Sequence, residues 1–494
     1  MKTMKLTGLL SAVPKWKILQ GDPDNTPIKG VAETASTLKK GEIFICIKGY
    51  TKDGHDFAAE AAKNGAAAII VERPVKAGKK AVIIQVKDSK AAMFAITDMF
   101  YADAKKKLKM IGVTGTKGKT TVTYLVEAIL KEKYKKDCAV LGTIGFKIGK
   151  KVYKAENTTP SNITIHRLLG EAADKGIRHA IIESSSHALD QGRLKNILFD
   201  AAVMTNVTRD HFDYHKTFRN YLKAKLIIVK ENLKKGGLLA VNADSKGAEE
   251  FIKEGRIKKA EIIRYAINKK AEISLLKHKL DINGMNFELI VQKRVRAFFT
   301  SILVGQHNIY NIMAAIAATS RMVDIKSAVT AIKKFTTVKG RLDKVYSKDF
   351  NVVVDFAHTP DSLDQILRTL NELKKNRIIT VFGAGGERDR GKRPMMGAAV
   401  EKYSDLMIVT SDNPRSEDPA LIIKEVMAGV KRKDKALTAV DRGEAIRIAV
   451  KAAQKDDIIL LAGKGHEEYQ IIGDVKHDFN DAKEALKAIK ELKR

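Results

Sequence analysis

A glycine-rich segment, residues 115–121, constrains the fold of this chain more than any other feature of its sequence. It follows the apolar residues 110–113 and precedes a segment with helical periodicity. The apolar positions of that segment would form one buried helix face: Val122, Leu125, Val126, Ile129 and Leu130. Glycines allow successive backbone N–H groups to converge on phosphate oxygens, and the helix N-terminus adds its dipole. The sequence therefore predicts a phosphate-binding loop between a strand and a helix.

The residues of this loop have distinct expected roles. The loop consists of Gly115, Thr116, Lys117, Gly118, Lys119, Thr120 and Thr121. Lys119 would bring a positive charge to the phosphates, and the hydroxyl of Thr120 could bind magnesium. The standard motif begins with a glycine where this chain has Val113. A chance glycine-rich turn is the alternative interpretation.

The length of 494 residues exceeds what one hydrophobic core can hold, so we expect about three domains. From Leu108 onward, β-branched runs alternate with helical periodicity, which is typical of an α/β fold with a parallel sheet. We predict an N-terminal domain over 1–107, a central domain over 108–336 and a third α/β domain over 337–494. Expected strands in the first and third domains are Glu42–Lys48, Ala66–Val71, Asn351–Phe356, Arg377–Phe382, Leu406–Thr410 and Ile458–Leu461.

The net charge of +32 would ordinarily suggest a nucleic-acid partner. The lysines are dispersed singly or in short pairs without interleaved aromatic residues, so we expect a solvated basic surface and no nucleic-acid partner. Pro14 and Lys15 interrupt the apolar stretch near the N-terminus, which argues against membrane insertion or secretion. The two cysteines, Cys46 and Cys138, are too few for a disulfide framework and favour the reducing cytoplasm.

Polar residues follow two predicted strands of the central domain. Strand His179–Ile182 runs into Glu183 and a run of serines, and strand Asp200–Met204 runs into the segment Thr205–Asp213. A carboxylate at such a position could hold magnesium, although a serine-rich turn with a solvated Glu183 is an equally simple interpretation.

Three further polar residues lie on predicted helices. By position alone Lys225 is most simply an exposed charge. Asn308 and Asn311 share one helical face, where amides could recognise a base or cap the helix; capping would explain one of them but not both.

The third domain has polar residues at the ends of all four predicted strands. These segments are Asp355–Asp361, Gly383–Arg390, Asp412–Arg415 and Gly463–Glu467. Asp and Gly commonly end strands for structural reasons. Because the carboxyl ends of parallel strands meet at one edge, the joint pattern nevertheless predicts a shared cleft.

Together these motifs resemble the Mur ligase family. The resemblance rests on residues 115–120, 157–160, 183–193, 305–311, 340–341, 355–361, 412–415 and 463–467. It implies an N-terminal domain for a uridine nucleotide, a central P-loop ATPase domain, and a C-terminal Rossmann-like domain that takes the incoming amino acid. Within the family, the resemblance is nearest to the branch that adds meso-2,6-diaminopimelate to UDP-N-acetylmuramoyl-L-alanyl-D-glutamate in peptidoglycan synthesis. It implies ATP and Mg²⁺ as cofactors. It also implies a cytoplasmic enzyme, which we expect to be a monomer.

The resemblance also implies roles for individual residues. It assigns Lys119 and Thr120 to the ATP phosphates, and Thr120, Glu183 and His211 to magnesium. The residues implied to bind the nucleotide are Asn308, Arg341, Asp355 and His358. Those implied to hold the muropeptide are Asn157, Thr158, Thr159, Ser185, Gln191 and Arg193. Those implied to hold the amino acid are Arg388, Asp412, Asn413, Pro414, Arg415, Gly463 and Glu467.

Lys225 matches a lysine that is carbamylated in this family, and the carbamate can support a second magnesium ion. The chain departs from the family at two points. Thr34-Ala35-Ser36 replaces the usual Asp-Ser-Arg of the uracil loop, and Lys117 replaces a common Asn. The alternatives left open are the lysine-adding relative, a more distant folylpolyglutamate synthetase, and a basic P-loop protein that binds nucleic acid.

Overall fold

The computed structural model describes residues 3–49, 52–155, 157–292 and 294–493. They form two compact units, the first made of Met1–Lys119 and Lys133–Arg264, the second of Thr120–Glu132 and Tyr265–Arg494.

The first unit opens with a small parallel sheet. Its elements in chain order are β1 (Met4–Lys5), α1 (Leu6–Leu10), β2 (Trp16–Gln20), β3 (Pro27–Ile28), β4 (Gly30–Ala32), β5 (Glu42–Ile45), α2 (Ala58–Lys63), β6 (Ala68–Val71), β7 (Val82–Val86), α3 (Ser89–Phe100) and α4 (Ala102–Lys106). Strands β4 to β7 are parallel, and β2 adds an antiparallel edge beside β7. The strands predicted at Glu42–Lys48 and Ala66–Val71 are both present but shorter, because pairing is confined to their most buried apolar residues.

A larger parallel sheet follows along the chain, and the helix after its first strand belongs, over Thr120–Glu132, to the second unit. Its elements are β8 (Lys109–Thr114), α5 (Lys119–Tyr134), β9 (Ala139–Gly142), β10 (Gly145–Ile148), β11 (Lys151–Tyr153), α6 (Asn162–Asp174), β12 (His179–Glu183), α7 (Ser186–Asp190), β13 (Phe199–Met204), α8 (Phe212–His215), α9 (Phe218–Lys230), β14 (Leu233–Asn242), α10 (Ala248–Ile257) and β15 (Glu261–Ala266). Strands β9, β12, β8, β13 and β14 are parallel neighbours in that order. The predicted inner face of α5 is fully buried, which confirms its apolar periodicity.

The second unit contains an antiparallel meander and a second parallel sheet. Its elements are β16 (Ile273–Asp281), β17 (Gly284–Val291), β18 (Val295–Ser301), α11 (Gln306–Thr319), α12 (Ile325–Lys334), β19 (Asp343–Ser347), β20 (Asn351–Asp355), α13 (Pro360–Leu373), β21 (Ile378–Phe382), α14 (Lys392–Glu401), β22 (Leu406–Thr410), α15 (Pro419–Met427), β23 (Ala436–Ala439), α16 (Arg442–Ala452), β24 (Ile458–Ala462), β25 (Tyr469–Ile472), β26 (Val475–Asp478) and α17 (Asp481–Glu491). Strands β16 to β18 form the meander.

The second parallel sheet has the order β19-β20-β24-β21-β22-β23, with β19 antiparallel at one edge. Helices α13 to α15 contribute to one apolar cluster against the sheet, and α16 and α17 contribute to another. This is the α/β arrangement expected from the sequence. The four predicted strands of this sheet are present, with bounds that coincide at five of the eight ends and differ by one residue at the other three.

One ion pair is fully buried beside this sheet. Arg442, the first residue of α16, donates from Nε and Nη2 to the carboxylate of Asp481, the first residue of α17, at 2.7 Å each. Both side chains are inaccessible to solvent. Nη2 also donates to the backbone oxygen of Ala462 at the end of β24. The pair therefore ties two helix starts to the end of a central strand.

Candidate active site

The phosphate loop lies between two other polar strand ends. It follows β8, whose parallel neighbours are β12 on one side and β13 on the other. Glu183 ends β12, and the segment Thr205–Asp213 follows β13. All three carboxyl ends therefore lie at one edge of the sheet, as the sequence pattern predicts.

Hydrogen bonds to the segment after β13 hold the loop in shape. The backbone N–H of Lys117 donates to Oδ1 of Asn206 at 3.0 Å, and Oγ1 of Thr205 donates to the oxygen of Lys117 at 2.7 Å. Gly115 has φ +151°, and a Cβ there would lie 1.8 Å from Oγ1 of Thr205. Only glycine permits this close approach of loop and strand end.

Gly115→Ala is therefore expected to lower the free energy of unfolding by about 2–5 kcal/mol, because it adds overpacking to a strained backbone. Gly176→Ala is the matched control. That glycine also has a positive φ, +71°, but nothing lies within 4 Å of its Cβ position, so we expect only about 1–2 kcal/mol. Urea denaturation of both variants measures the difference. Equal losses would contradict the steric explanation.

Two lysines converge on one carbonyl of the loop. The Nζ atoms of Lys119 and Lys225 donate to the oxygen of Gly115 at 2.9 and 2.7 Å. Lys225 is 1% exposed, so the interpretation as an exposed charge is wrong. Burial and the positive charge of Lys119 lower the pKa of Lys225 well below its ordinary value. The loop therefore holds a buried amine next to the expected position of the phosphates.

Glu183 is fully buried and bonded to its neighbours, so the alternative of a solvated turn is wrong. Its carboxylate accepts from the N–H and the hydroxyl of Thr143 at 3.1 and 3.0 Å. The same Thr143 hydroxyl lies 3.1 Å from Oγ1 of Thr158. A carboxylate at a parallel strand end is thus linked, through the Thr143 hydroxyl, to Thr158, which is expected to contact the muropeptide.

The remaining muropeptide candidates continue this network, except Asn157, which is exposed. Oγ1 of Thr159 donates to the backbone oxygen of Glu183 at 2.5 Å and lies 3.2 Å from Oγ of Ser185. Arg193 donates from Nη1 to the oxygen of Thr159 at 2.9 Å and from Nε to Oε1 of Gln191 at 3.0 Å. The structure therefore brings Thr158, Thr159, Ser185, Gln191 and Arg193 together around the end of β12.

His211 lies at the start of α8 with φ +55°. Its ring contacts the His187 ring edge-on, with centroids 4.8 Å apart. The centroid of the Tyr221 ring lies 6.3 Å from that of the His211 ring. Desolvation lowers the pKa of His211, and so do His187, Lys119 and Lys225. A neutral imidazole is the form that binds a metal.

The protein side chains alone supply only part of the coordination shell that Mg²⁺ requires. Among the described residues, no group of three or more His, Cys, Asp or Glu side chains could hold a metal ion. Mg²⁺ usually takes one or two protein carboxylates and completes its shell with substrate phosphates and water. Glu183 and His211, both in the first unit, suit such a shared shell, in which a phosphate ligand is required.

The expected nucleotide ligands of the second unit lie at the end of β20 and on α11. Asp355 accepts from the N–H groups of Leu342 and Ala357 at 2.7 and 2.8 Å. Desolvation raises the pKa of Asp355, and the charge of Arg341 opposes that rise. The Arg341 guanidinium lies 5.0 Å from the ring centroid of Phe356. His358 is exposed and its Nδ1 lies 2.7 Å from the oxygen of Phe356.

Neither asparagine of α11 caps the helix, whose N-cap is Gly305. Asn308 donates from Nδ2 to the oxygen of Val304 at 2.8 Å, and Asn311 donates from Nδ2 to Oδ1 of Asn308 at 2.9 Å. Both side chains are buried. Capping therefore explains neither of them; Asn311 orients the amide of Asn308.

The expected amino-acid ligands meet at the ends of β21, β22 and β24. Arg415 has φ +53° and donates from Nη1 to the backbone oxygens of Gly386 and Asn413 at 2.7 and 3.3 Å. A Cβ on Gly385 would lie 3.3 Å from Nη1 of Arg415 and 3.6 Å from Cγ of Arg388. Both arginines therefore border the same glycine turn. Pro414 is buried beside them.

Arg415 would have a purely structural role if it paired with Glu417 or Asp418 on the surface. Glu417 is instead bonded to Arg393, at 2.8 and 2.9 Å, and Asp418 caps α15 by accepting from the N–H of Ala420. The Arg393 guanidinium and a backbone bond from Glu387 hold the pKa of Glu417 at about 2.

Asn413 and Glu467 face each other across the same edge, with Nδ2 of Asn413 donating to Oε2 of Glu467 at 3.1 Å. Gly463, at φ +117°, allows β24 to end against Asp412, since a Cβ there would lie 3.2 Å from Oδ2 of Asp412. The ends of β21, β22 and β24 thus form one polar cluster.

Comparison with known proteins matches the parts of this chain to one family. Residues 27–101 match the catalytic domain of the Mur ligase family, residues 113–319 the Mur ligase middle domain, and residues 340–465 the glutamate ligase domain of the Mur ligases. The chain belongs to the Mur ligase family.

Its relatives cover its whole length. The Mur ligase is 40% identical over 497 residues to the UDP-N-acetylmuramoyl-L-alanyl-D-glutamate–2,6-diaminopimelate ligase of Geobacillus thermodenitrificans, covering 99% of this chain and 100% of the relative. It is 41% identical to the enzyme of the same name from Aquifex aeolicus, covering 92% of each chain. A solved structure of a ligase of that name superposes with a TM-score of 0.71 at 32% identity, covering 100% of both chains. The ligase has the α/β architecture of its family.

Sequence reasoning missed several side chains of this ligase that contact the expected site residues. Tyr221 lies 3.0 Å, hydroxyl to hydroxyl, from Thr116 of the phosphate loop, and Lys464 is buried among the amino-acid ligands. The only available signal for Lys464 was its place inside the segment Gly463–Glu467. Glu33, next to the altered uracil loop, is desolvated, which raises its pKa, and the charge of Arg193 opposes that rise.

In the described part of the ligase, no helix is both long and apolar enough to cross a membrane.

Proposed function

We propose that this Mur ligase adds meso-2,6-diaminopimelate to the D-glutamate γ-carboxylate of UDP-N-acetylmuramoyl-L-alanyl-D-glutamate, in the cytoplasm, with cleavage of ATP to ADP and phosphate. One structural observation carries the proposal. The phosphate loop and the polar network around Glu183, Thr159 and Arg193 occupy the same sheet edge. A phosphoryl donor and a carboxylate substrate bound there would be neighbours. The names of the two full-length relatives support the choice of substrates.

The reaction requires activation of a carboxylate, because oxide is a poor leaving group. The γ-phosphoryl group of ATP would be transferred to the D-glutamate γ-carboxylate to give an acyl phosphate. The amine of the diamino acid would then attack the acyl carbon, and the tetrahedral intermediate would expel phosphate. Positioning and electrostatic stabilisation supply most of the acceleration in such reactions.

The phosphate loop and the proposed magnesium ligands would serve the phosphoryl transfer. The ammonium of Lys119, now bonded to the oxygens of Gly115 and Thr116 at 2.9 Å each, would turn to the phosphates when ATP binds. The loop N–H groups would hold the phosphate oxygens. Thr120, Glu183, His211 and a carbamate on Lys225 would hold magnesium, which neutralises phosphate charge during the transfer. Burial of Lys225 at 1% exposure supports the carbamate, since an uncharged amine is the form that reacts with carbon dioxide.

The residues of the second unit would bind the nucleotide and the amino acid. Asn308, Arg341, Asp355 and His358 are proposed for the nucleotide. Diaminopimelate differs from lysine by a carboxylate beside its distal amine, and the Arg415 guanidinium offers a planar fork that matches a carboxylate. Glu467 would balance the distal ammonium, and Arg388, Asp412, Asn413, Pro414 and Gly463 would complete the pocket.

Arg415→Ala is expected to lower kcat/KM for diaminopimelate about 10- to 100-fold, because a charged hydrogen-bonded pair contributes roughly 1.5–3 kcal/mol. Use of lysine should change little. Arg415→Lys, which keeps the charge but loses the fork, should recover only part of the activity. Arg432→Ala, at an exposed position of the same unit, is the control. An unchanged preference in Arg415→Ala would rule out this role.

Phosphate release tests the proposal as a whole. The unmutated enzyme is incubated with ATP, Mg²⁺ and UDP-N-acetylmuramoyl-L-alanyl-D-glutamate, with diaminopimelate or lysine supplied side by side. We expect release only when both substrates are present, and faster release with diaminopimelate. A preference for lysine would assign the chain to the lysine-adding branch. Phosphate release that does not depend on the muropeptide would overturn the proposal.

A further inference from the structure

The tetrapeptide Asp412–Arg415 is held by the hairpin of β25 and β26. Gln470 donates from Nε2 to the backbone oxygen of Asp412 at 2.7 Å, and the N–H of Ile471 donates to Oδ1 of Asn413 at 3.0 Å. The N–H of Arg415 donates to the oxygen of Ile471 at 3.1 Å, and the N–H of Gly473 donates to the oxygen of Arg415 at 2.8 Å. The hairpin thus contacts three of the four residues.

These bonds hold a backbone conformation that Arg415 would not adopt readily by itself. Its φ of +53° lies in the left-handed region, which costs a residue with a side chain free energy and persists only where neighbours impose it. Because the hairpin bonds both the N–H and the carbonyl of Arg415, it sets the direction in which the guanidinium leaves the chain.

Lys464 holds the same loop from inside the domain. Its side chain has no solvent exposure. Its Nζ lies 3.0 Å from Oδ1 of Asn413 and 3.3 Å from both Oδ1 of Asp412 and Oε2 of Glu467. Since Nδ2 of Asn413 also donates to Glu467, one ammonium fixes the orientation of an amide and of a carboxylate.

Two carboxylates share one ammonium beside this loop. Arg442 is paired with Asp481 through two bonds, and the guanidinium of Arg415 donates to the backbone oxygens of Gly386 and Asn413. Lys464 faces the carboxylates of both Asp412 and Glu467. A partly uncompensated carboxylate in a largely buried position is stabilised by an ammonium ion of a ligand, which an incoming amine supplies.

We propose that Gln470 and Lys464 are positioning residues for the incoming diamino acid, each acting on a different part of it. Gln470 acts through the carbonyl of Asp412, where its side chain anchors the hairpin to the tetrapeptide that carries Arg415, and governs recognition of the extra carboxylate. Lys464 acts through Asn413 and Glu467 and governs recognition of the distal ammonium, which diaminopimelate and lysine share. This inference rests on the proposed function.

The two residues are tested by different readouts of the same phosphate-release assay. Gln470→Ala should raise KM for diaminopimelate about three- to tenfold, since it removes a hydrogen bond, and should lower the ratio of diaminopimelate to lysine use by the same factor. Gln470→Lys, which restores a donor, should recover part of the loss. Lys464→Met should raise KM for both amino acids at least about tenfold. KM for ATP should stay within about twofold in every variant.

His477→Ala is the matched control, because His477 is exposed and pairs with Gln470 across the hairpin. If Lys464→Met does not fold, Lys464→Arg replaces it, because it keeps the charge but not the short contacts of the ammonium; an unchanged KM for both amino acids in the Lys464 variant that folds would reject the role of Lys464. The inference is wrong if Gln470→Ala leaves the ratio of the two amino acids unchanged, or if KM for ATP rises together with KM for the amino acids. Absence of any diaminopimelate-dependent release by the unmutated enzyme would instead reject the proposed function.

Discussion

Lys119→Ala is expected to abolish ATP turnover while leaving the fold intact. The ammonium of Lys119 is the charge of the phosphate loop nearest to the expected phosphates, and removal of one such group from a preorganised site costs on the order of 10³-fold in rate. The substitution removes two hydrogen bonds to loop carbonyls but no apolar core contact, so stability should fall by only about 1 kcal/mol. Phosphate release and circular dichroism measure the two effects.

Lys131→Ala serves as the control for Lys119→Ala. It lies on the same helix, α5, but its side chain is exposed, so activity should be unchanged. If Lys119→Ala released phosphate at the rate of the unmutated enzyme, the assignment of residues 115–121 as a phosphate-binding loop would be wrong. Equal loss in both variants would indicate a general effect of helix charge instead.

Lys225→Ala is expected to lose most activity, by at least about 100-fold, and to regain part of it when acetate or propionate is added. A short carboxylate can occupy the space of the proposed carbamate next to Gly115. A simple loss of packing at this buried position would not respond to carboxylates. The measurement is phosphate release as a function of carboxylate concentration.

Lys223→Ala is the control for Lys225→Ala, because it changes an exposed lysine two positions away on the same helix. It should be fully active and indifferent to acetate. A fully active Lys225→Ala variant, or one that carboxylates do not rescue, would exclude the carbamate.

Local patterns allowed much of the fold and part of the site to be predicted. The phosphate loop, the face of α5 and the strands of the third domain follow from periodicity within short segments. The convergence of polar strand ends follows from one topological rule, that parallel strands end at the same edge. These predictions required no knowledge of which side chains meet across the fold.

The features that were missed depend on contacts between distant parts of the sequence. The burial of Lys225 against Gly115, 110 positions away, cannot be read from the helix that carries it. The same holds for Lys464, whose partner Asp412 is 52 positions away. The meander of β16 to β18 and the hairpin of β25 and β26 were also missed, although β18 alternates exposed and buried residues. A lysine in a polar segment looks solvated until the fold surrounds it.

The buried pair of Arg442 and Asp481 has a consequence for how sequences of this kind can diverge. Loss of one partner leaves an uncompensated buried charge, at a cost of about 3–5 kcal/mol, whereas joint replacement by apolar residues can be tolerated. The two positions can therefore change only together, although 39 positions separate them. Arg442 also donates to the oxygen of Ala462, next to Gly463 of the proposed amino-acid pocket. Changes at Asp481 are therefore restricted by that pocket, although the side chain of Asp481 does not line it.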